Sequence, residues 1–159
     1  MPETPQNRQT SISIDSPVGP LTIWGDGQAI TRLDWTRRPA GPPDALLAEA
    51  ARQVQGYFDG SRRDFDLPLA PEGSEFQIAV CKAMSEIPFG QTRTYGDIAR
   101  ELGAPAQAVG QACGGNPIPV IIPCHRVLAA SGLGGFSGAG GIEAKVALLK
   151  HEGAASLLI

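Results

Sequence analysis

The chain has 159 residues, with 16 acidic and 13 basic side chains and a formal net charge of −3, so it lacks the basic excess that most nucleic-acid binders carry. Its hydrophobic content of 42% is that of a soluble globular protein, and no apolar run is long enough to cross a bilayer, so no membrane-spanning helix and no membrane partner are expected. The three cysteines, Cys81, Cys113 and Cys124, are odd in number and fit a reducing compartment better than a disulfide framework. The polar start Met1 to Thr10 lacks the basic-then-apolar order of a signal peptide, so a cytoplasmic location is expected. Residues 1–73 hold 10 acidic and 7 basic side chains, whereas 74–159 hold six of each; a nucleic-acid contact in the second half would rest on local geometry and a few arginines, with weak long-range steering.

Ser11 to Asp15 alternates polar and apolar residues, Pro17 to Pro20 breaks the pattern, and Leu21 to Trp24 resumes it before the turn Gly25-Asp-Gly27 and a third run, Ala29 to Trp35. Short alternating runs between turn signals predict an antiparallel meander. Asp44 to Phe58 then carries Leu46, Leu47, Ala50, Val54 and Tyr57 at helical spacing, closed by Gly60, which predicts one helix on the sheet. Leu67 to Gly73 is rich in proline and reads as an extended, poorly paired linker. Two domains are expected, residues 1–73 and 74–159.

The second opens at Ser74-Glu-Phe-Gln77, which has capping-box spacing, and Phe76, Val80, Ala83 and Ile87 form an apolar stripe that stops before Pro88. Thr94 is placed to cap a short helix, Tyr95 to Leu102, ended by Gly103, and Pro105 to open a second helix through Cys113. Two helices about so tight a turn suggest a helix-turn-helix. On the second helix Ala106, Val109 and Cys113 share one face, while Gln107, Gly110, Gln111 and Gly114 leave a flat surface on the other; close helix packing and close approach of a duplex backbone explain that surface equally well.

Next comes Asn116-Pro-Ile-Pro-Val-Ile-Ile-Pro123, then Cys124-His-Arg-Val127. Three prolines remove backbone donors, so this run is no fully paired central strand and must deliver Cys124 to a strand end or rim. A thiolate is the nucleophilic form of cysteine, and a histidine and an arginine beside it are groups that lower a thiol pKa. His125 on an extended segment would face away from the sulfur, which calls for a bridging water. Arg126, pointing away from the His125 side, reads as an ion-pair partner more readily than as a base contact. The glycine-rich loop Ser131 to Gly141 lacks the lysine and hydroxyl of a phosphate cradle and reads as a wall over a pocket. A last helix places Ile142, Val146 and Leu149 on one stripe and stops at Gly153, with Glu152 on the Leu148 and Leu149 side and His151 opposite, in solvent.

These residues resemble the O6-alkylguanine-DNA alkyltransferase family. The likeness is densest from Phe76 to Gly153, in Pro88-Phe-Gly-Gln-Thr-Arg-Thr-Tyr-Gly96, Ala108-Val-Gly110, Gly115-Asn-Pro117, Ile122-Pro-Cys-His-Arg-Val127 and His151-Glu-Gly153, and extends to Ser16-Pro-Val-Gly-Pro-Leu21. It implies an α+β fold: a small antiparallel sheet lobe with one helix, then a mostly helical lobe holding the helix-turn-helix and the cysteine segment. It also implies a monomer without cofactor or metal that flips O6-alkylguanine, and O4-alkylthymine as a further candidate, out of double-stranded DNA. One alkyl group then passes irreversibly to Cys124. His125 and Glu152 would complete a cysteine–water–histidine–glutamate relay, Asn116 would hold the thiol segment, and Tyr95 would assist the departing guanine.

Ala106, Gln107, Gly110, Gln111, Gly114, Arg126, Val127, Phe136 and Ser137 are the residues expected at the DNA and the flipped base. Two depart from the family pattern. Gln107 stands where an arginine usually fills the space left by the base, and Phe136 stands for a tyrosine, with Ser137 as the remaining polar group. Non-catalytic lesion binding is the alternative reading, disfavoured because Cys124 is present. A cysteine hydrolase would need an oxyanion hole that cannot be identified here, and a zinc site would need paired ligand spacing that is missing.

Overall fold

A computed structural model describes residues 9–38, 44–134 and 141–154. The fold is α+β in two compact units, Met1–Pro71 and Glu72–Ile159. In the first, β1 (Thr10–Ile14), β2 (Leu21–Gly25) and β3 (Ile30–Asp34) form the expected antiparallel meander in chain order. Their inward positions Ile14, Leu21, Ile23, Ile30 and Leu33 are buried, and helix α1 (Ala45–Asp59) packs on the sheet through Leu47, Ala50, Ala51, Val54 and Tyr57. Asp44 caps α1 by accepting the Leu47 N–H at 2.7 Å, which satisfies one of the donors a helix start leaves open.

Two expectations for this unit change. The buried face of α1 includes Gln53, whose amide accepts from Asp66 N at 2.8 Å and donates to Asp66 O at 3.1 Å. The proline-rich linker is extended yet paired: Ile30 N donates to Pro68 O and Ala70 N donates to Ile30 O, both at 2.8 Å. Pro68 lacks only an N–H, so its carbonyl remains free to join the edge of β3.

The second unit contains α2 (Glu75–Ser85), β4 (Arg93–Thr94), α3 (Tyr95–Leu102), α4 (Ala106–Gly114), β5 (Val127–Leu128) and α5 (Ile142–Glu152). Ser74 caps α2, accepting from Gln77 N at 3.1 Å, but Gln77 does not return the bond. Its amide donates to Ala112 O at 2.8 Å, clamping α2 to the last turn of α4. The capping box is complete at α3, where Thr94 Oγ1 accepts from Asp97 N at 3.0 Å and Asp97 Oδ2 accepts from Thr94 N at 2.9 Å. Gly103 in the left-handed region ends α3, and Pro105 precedes α4. Below the motif segment β4 and β5 pair in parallel, Arg93 opposite Val127 and Thr94 opposite Leu128, a ribbon too short to read from sequence.

Helix faces are also corrected. On α4 the buried residues are Val109, Ala112 and Cys113, and Ala106 joins Gln107, Gln111 and Gly114 on the exposed side. On α5 the buried stripe is Ala144, Lys145, Leu148, Leu149 and Glu152, while Ile142 is 42% exposed. Both stripes have helical spacing. The inward one carries a lysine and a glutamate, which a search for apolar periodicity assigns to solvent.

Candidate active site

Cys124 begins a single 3₁₀ turn, Cys124–Arg126, that runs into β5. The proline-rich run before it closes on itself: Ile122 N donates to Ile118 O and Cys124 N to Ile122 O, both at 2.8 Å. Asn116 holds this loop from inside, donating to Ile122 O at 2.8 Å and accepting from Ile118 N at 3.0 Å. Val120, a β-branched residue, sits at φ 73, a strain of about 1–3 kcal/mol that the surrounding bonds must hold in place.

With about three residues per turn, the 3₁₀ turn brings neighbouring side chains to a common partner that an extended strand would keep apart. That partner is Glu152. His125 Nε2 lies 2.6 Å from Glu152 Oε2, Arg126 Nε donates to Oε1 at 2.8 Å and Arg126 Nη2 to Oε2 at 3.0 Å. Gly90 N adds a bond to Oε1 at 3.2 Å, and Arg126 Nη1 donates to Ile87 O at 2.6 Å. Glu152, His125 and Arg126 are all buried.

A carboxylate held by a guanidinium is an acceptor, so Nε2 carries the imidazole proton and Nδ1 presents a lone pair. Among the described residues Nδ1 has no hydrogen-bond partner. Burial holds His125 below the usual imidazole range although Glu152 pulls the other way. Burial likewise pushes the Cys124 thiol up to about 11, against the opposing effects of Asn116 and Lys145. The expectation that its neighbours lower this thiol is thus overturned: desolvation wins, and the resting pair is a neutral thiol and a neutral imidazole with an open acceptor.

Tyr95 starts α3 directly after β4, and its ring borders an open cleft of about 630 Å³ with Arg100, Ala106, Gln107, Gly110 and Gln111. Gly114 is exposed beyond it. Gly134, at φ 73, comes so close to Tyr95 that a Cβ there would meet the phenol oxygen at 2.7 Å. Two residues expected at DNA lie elsewhere. Arg126 is committed to Glu152 and Ile87, and Val127 is buried in the core as part of the β4–β5 ribbon. The charge and hydrogen-bonding capacity of Arg126 are spent on holding the turn, as its reading as an ion-pair partner anticipated. Phe136 and Ser137 lie outside the described residues. His151, expected in solvent, is half-buried edge-on to Phe89, with ring centroids 6.2 Å apart.

Residues 75–154 match the family model for the 6-O-methylguanine DNA methyltransferase DNA-binding domain, and residues 11–71 match that for the ribonuclease-like domain of the same family. The chain belongs to this methyltransferase family. A methylated-DNA–protein-cysteine methyltransferase of Methanosarcina acetivorans is 43% identical over 150 residues, covering 87% of this chain and 95% of that protein. One of Mycobacterium bovis is 46% identical over 150 residues, covering 88% and 90%. Among solved structures, O6-methylguanine methyltransferase of Mycobacterium tuberculosis superposes with a TM-score of 0.81 at 42% identity, covering 95% of this chain and 98% of that one. The same organism's OGT in complex with DNA gives a TM-score of 0.80 at 45% identity, covering 91% and 94%.

Sequence reasoning on this family member missed Lys145, Gly90 and the Ile87 carbonyl. Gly90 lies inside the quoted string Pro88 to Gly96, so a signal was present without a role. Lys145 gave none, because a lysine on a surface-length helix reads as solvated.

Proposed function

We propose that this chain repairs DNA by taking the alkyl group of O6-alkylguanine onto Cys124, irreversibly and once per molecule. The observation that carries this reading is the buried Cys124 thiol in the same turn as His125, whose Nδ1 is an acceptor because Nε2 keeps the ring proton and donates it in a hydrogen bond to Glu152. His125 is the base, reached from sulfur through water. Glu152 fixes its tautomer and stabilises the imidazolium, and Arg126 holds the Glu152 carboxylate in place as its ion-pair partner. As the sulfur–carbon bond forms and the carbon–O6 bond breaks, the electron pair stays on guanine. Tyr95 supplies the proton that neutralises the purine, and the imidazolium restores the phenol.

Helices α3 and α4 act as the helix-turn-helix, presenting the cleft beside Tyr95 to a duplex from which the damaged base is flipped. Gln107 enters the space the base leaves, and Ala106, Gly110, Gln111 and Gly114 allow the backbone to approach closely. The protein works as a cytoplasmic monomer, with residues 74–159 carrying the chemistry.

Incubation with duplex DNA containing one O6-methylguanine tests this. The Cys124 peptide is expected to gain one methylene and no second substrate to be consumed. An unchanged Cys124 peptide with the lesion still in the DNA rejects the reading.

A further inference from the structure

The helix that would lie closest to the duplex brings no charge to it: α4, from Ala106 to Gly114, contains neither an acidic nor a basic residue. Among the described residues that line the cleft beside Tyr95, Arg100 of α3 is the one charge. Whatever hold this cleft has on a phosphate backbone by charge therefore comes from the neighbouring helix, through one guanidinium.

That guanidinium is already aimed. Long helical side chains lean towards the N-terminus of their helix, and Arg100 lies back over the first turn of α3, where a Cβ on Gly96 would touch its Nη1 at 3.5 Å. Its Nη2 donates to Asp97 Oδ1, an i,i+3 ion pair, and the arginine side chain remains 75% exposed. Asp97 is itself fixed, because its Oδ2 accepts from Thr94 N at 2.9 Å in the capping box. The helix cap thus holds the carboxylate, and the carboxylate holds one edge of the guanidinium. An arginine has five N–H donors in a planar fork, and Asp97 takes only one of its nitrogens. The other edge, Nε and Nη1, has no hydrogen-bond partner among the described residues.

We propose that Arg100 is the phosphate-anchoring residue of the cleft, pinned by Asp97 on one edge and binding a backbone phosphate of the DNA with the other. This rests on the alkyl transfer from DNA proposed above. Two parallel N–H donors meet two phosphate oxygens in the geometry that a guanidinium offers and an ammonium does not. The contact fixes where the duplex sits against α3 and Tyr95 while reading no base, and uncharged α4 is left to approach the groove closely.

The test compares the wild type with Arg100→Gln, Arg100→Lys and Lys82→Gln, the last removing an exposed charge of α2 that does not line the cleft. Affinity for duplex DNA, with and without one O6-methylguanine, is titrated at several salt concentrations, and single-turnover methyl transfer is measured at saturating DNA. Arg100→Gln is expected to bind both duplexes roughly tenfold more weakly at low salt, with the slope of log affinity against log salt shallower by about 1. Its transfer rate at saturation should match the wild type. Arg100→Lys should keep the slope and lose part of the affinity, and Lys82→Gln should change neither. A wild-type slope and affinity in Arg100→Gln overturn the inference. So does an equal fall in slope in Lys82→Gln, the signature of net charge alone, or a transfer rate lost at saturation with binding intact. Failure of the wild type to acquire the methyl group rejects the alkyl-transfer reading, while the titrations with undamaged duplex still decide whether Arg100 holds a phosphate.

Discussion

Glu152 accepts from a histidine, an arginine and a backbone amide at once, and no solvent reaches its side chain. Removing one partner of a buried ion pair leaves the other charge uncompensated, which costs far more than the pair itself contributes. Glu152→Gln keeps the shape but turns an acceptor into a donor facing two donors. The variant is expected to lose about 3 kcal/mol or more of unfolding free energy in urea denaturation, and its His125 loses the group that fixes the tautomer. Stability within experimental error of the wild type would show that the carboxylate is not the hub the geometry describes. At this scale the string Cys124-His-Arg126 was legible as chemistry from sequence, but the direction of the thiol shift was not. Charge neighbours can be read from adjacent letters, whereas desolvation depends on everything packed around the sulfur.

At the scale of elements, α3 and α4 were readable almost to the residue, because their ends are written in local chemistry: Thr94 with Asp97, then Gly103 and Pro105. The open face of α4 carries Gln107 at the edge of the cleft beside Tyr95. A glutamine there contributes no charge to a phosphate backbone. Gln107→Arg is therefore expected to tighten binding to duplex DNA and to steepen the dependence of log affinity on log salt by about 1. Titrations at several salt concentrations measure both, and an unaltered slope would remove Gln107 from the DNA-facing surface. Element α5 illustrates the opposite case. Its buried stripe contains Lys145 and Glu152, and only the partners waiting in the core, Val127 O and the His125–Arg126 pair, make that face the inner one.

Across the whole molecule the buried thiols govern behaviour in alkali. Burial raises Cys81, raises Cys113 to about 12 and raises Cys124 to about 11, from an ordinary value of 9.0. A group whose folded pKa is raised contributes stability that is intact below its unfolded pKa and is lost as pH climbs through the folded one. Lys145, lowered to about 8 from 10.5, works the other way between those two values. Three thiols oppose one amine, so the net unfolding free energy is expected to fall from about pH 9 towards pH 11. Denaturation midpoints measured through that window check it, and Cys113→Ala should show a shallower decline. A profile that is flat for both proteins would mean that the thiols are solvated.

The chain's own order of residues determined which segments become strand and helix, where they stop, and which cysteine carries the motif, because propensity, capping and proline chemistry act over a few neighbouring positions. Tertiary structure alone decided that Val127 belongs to the scaffold, that Glu152 holds Arg126 as well as His125, that Lys145 is inside, and that the resting thiol is neutral. Each of these depends on groups brought together from distant positions, such as Gly90 and Glu152 or Lys145 and Val127, and on the exclusion of water that follows. Neither closeness across the chain nor desolvation has a local sequence signature.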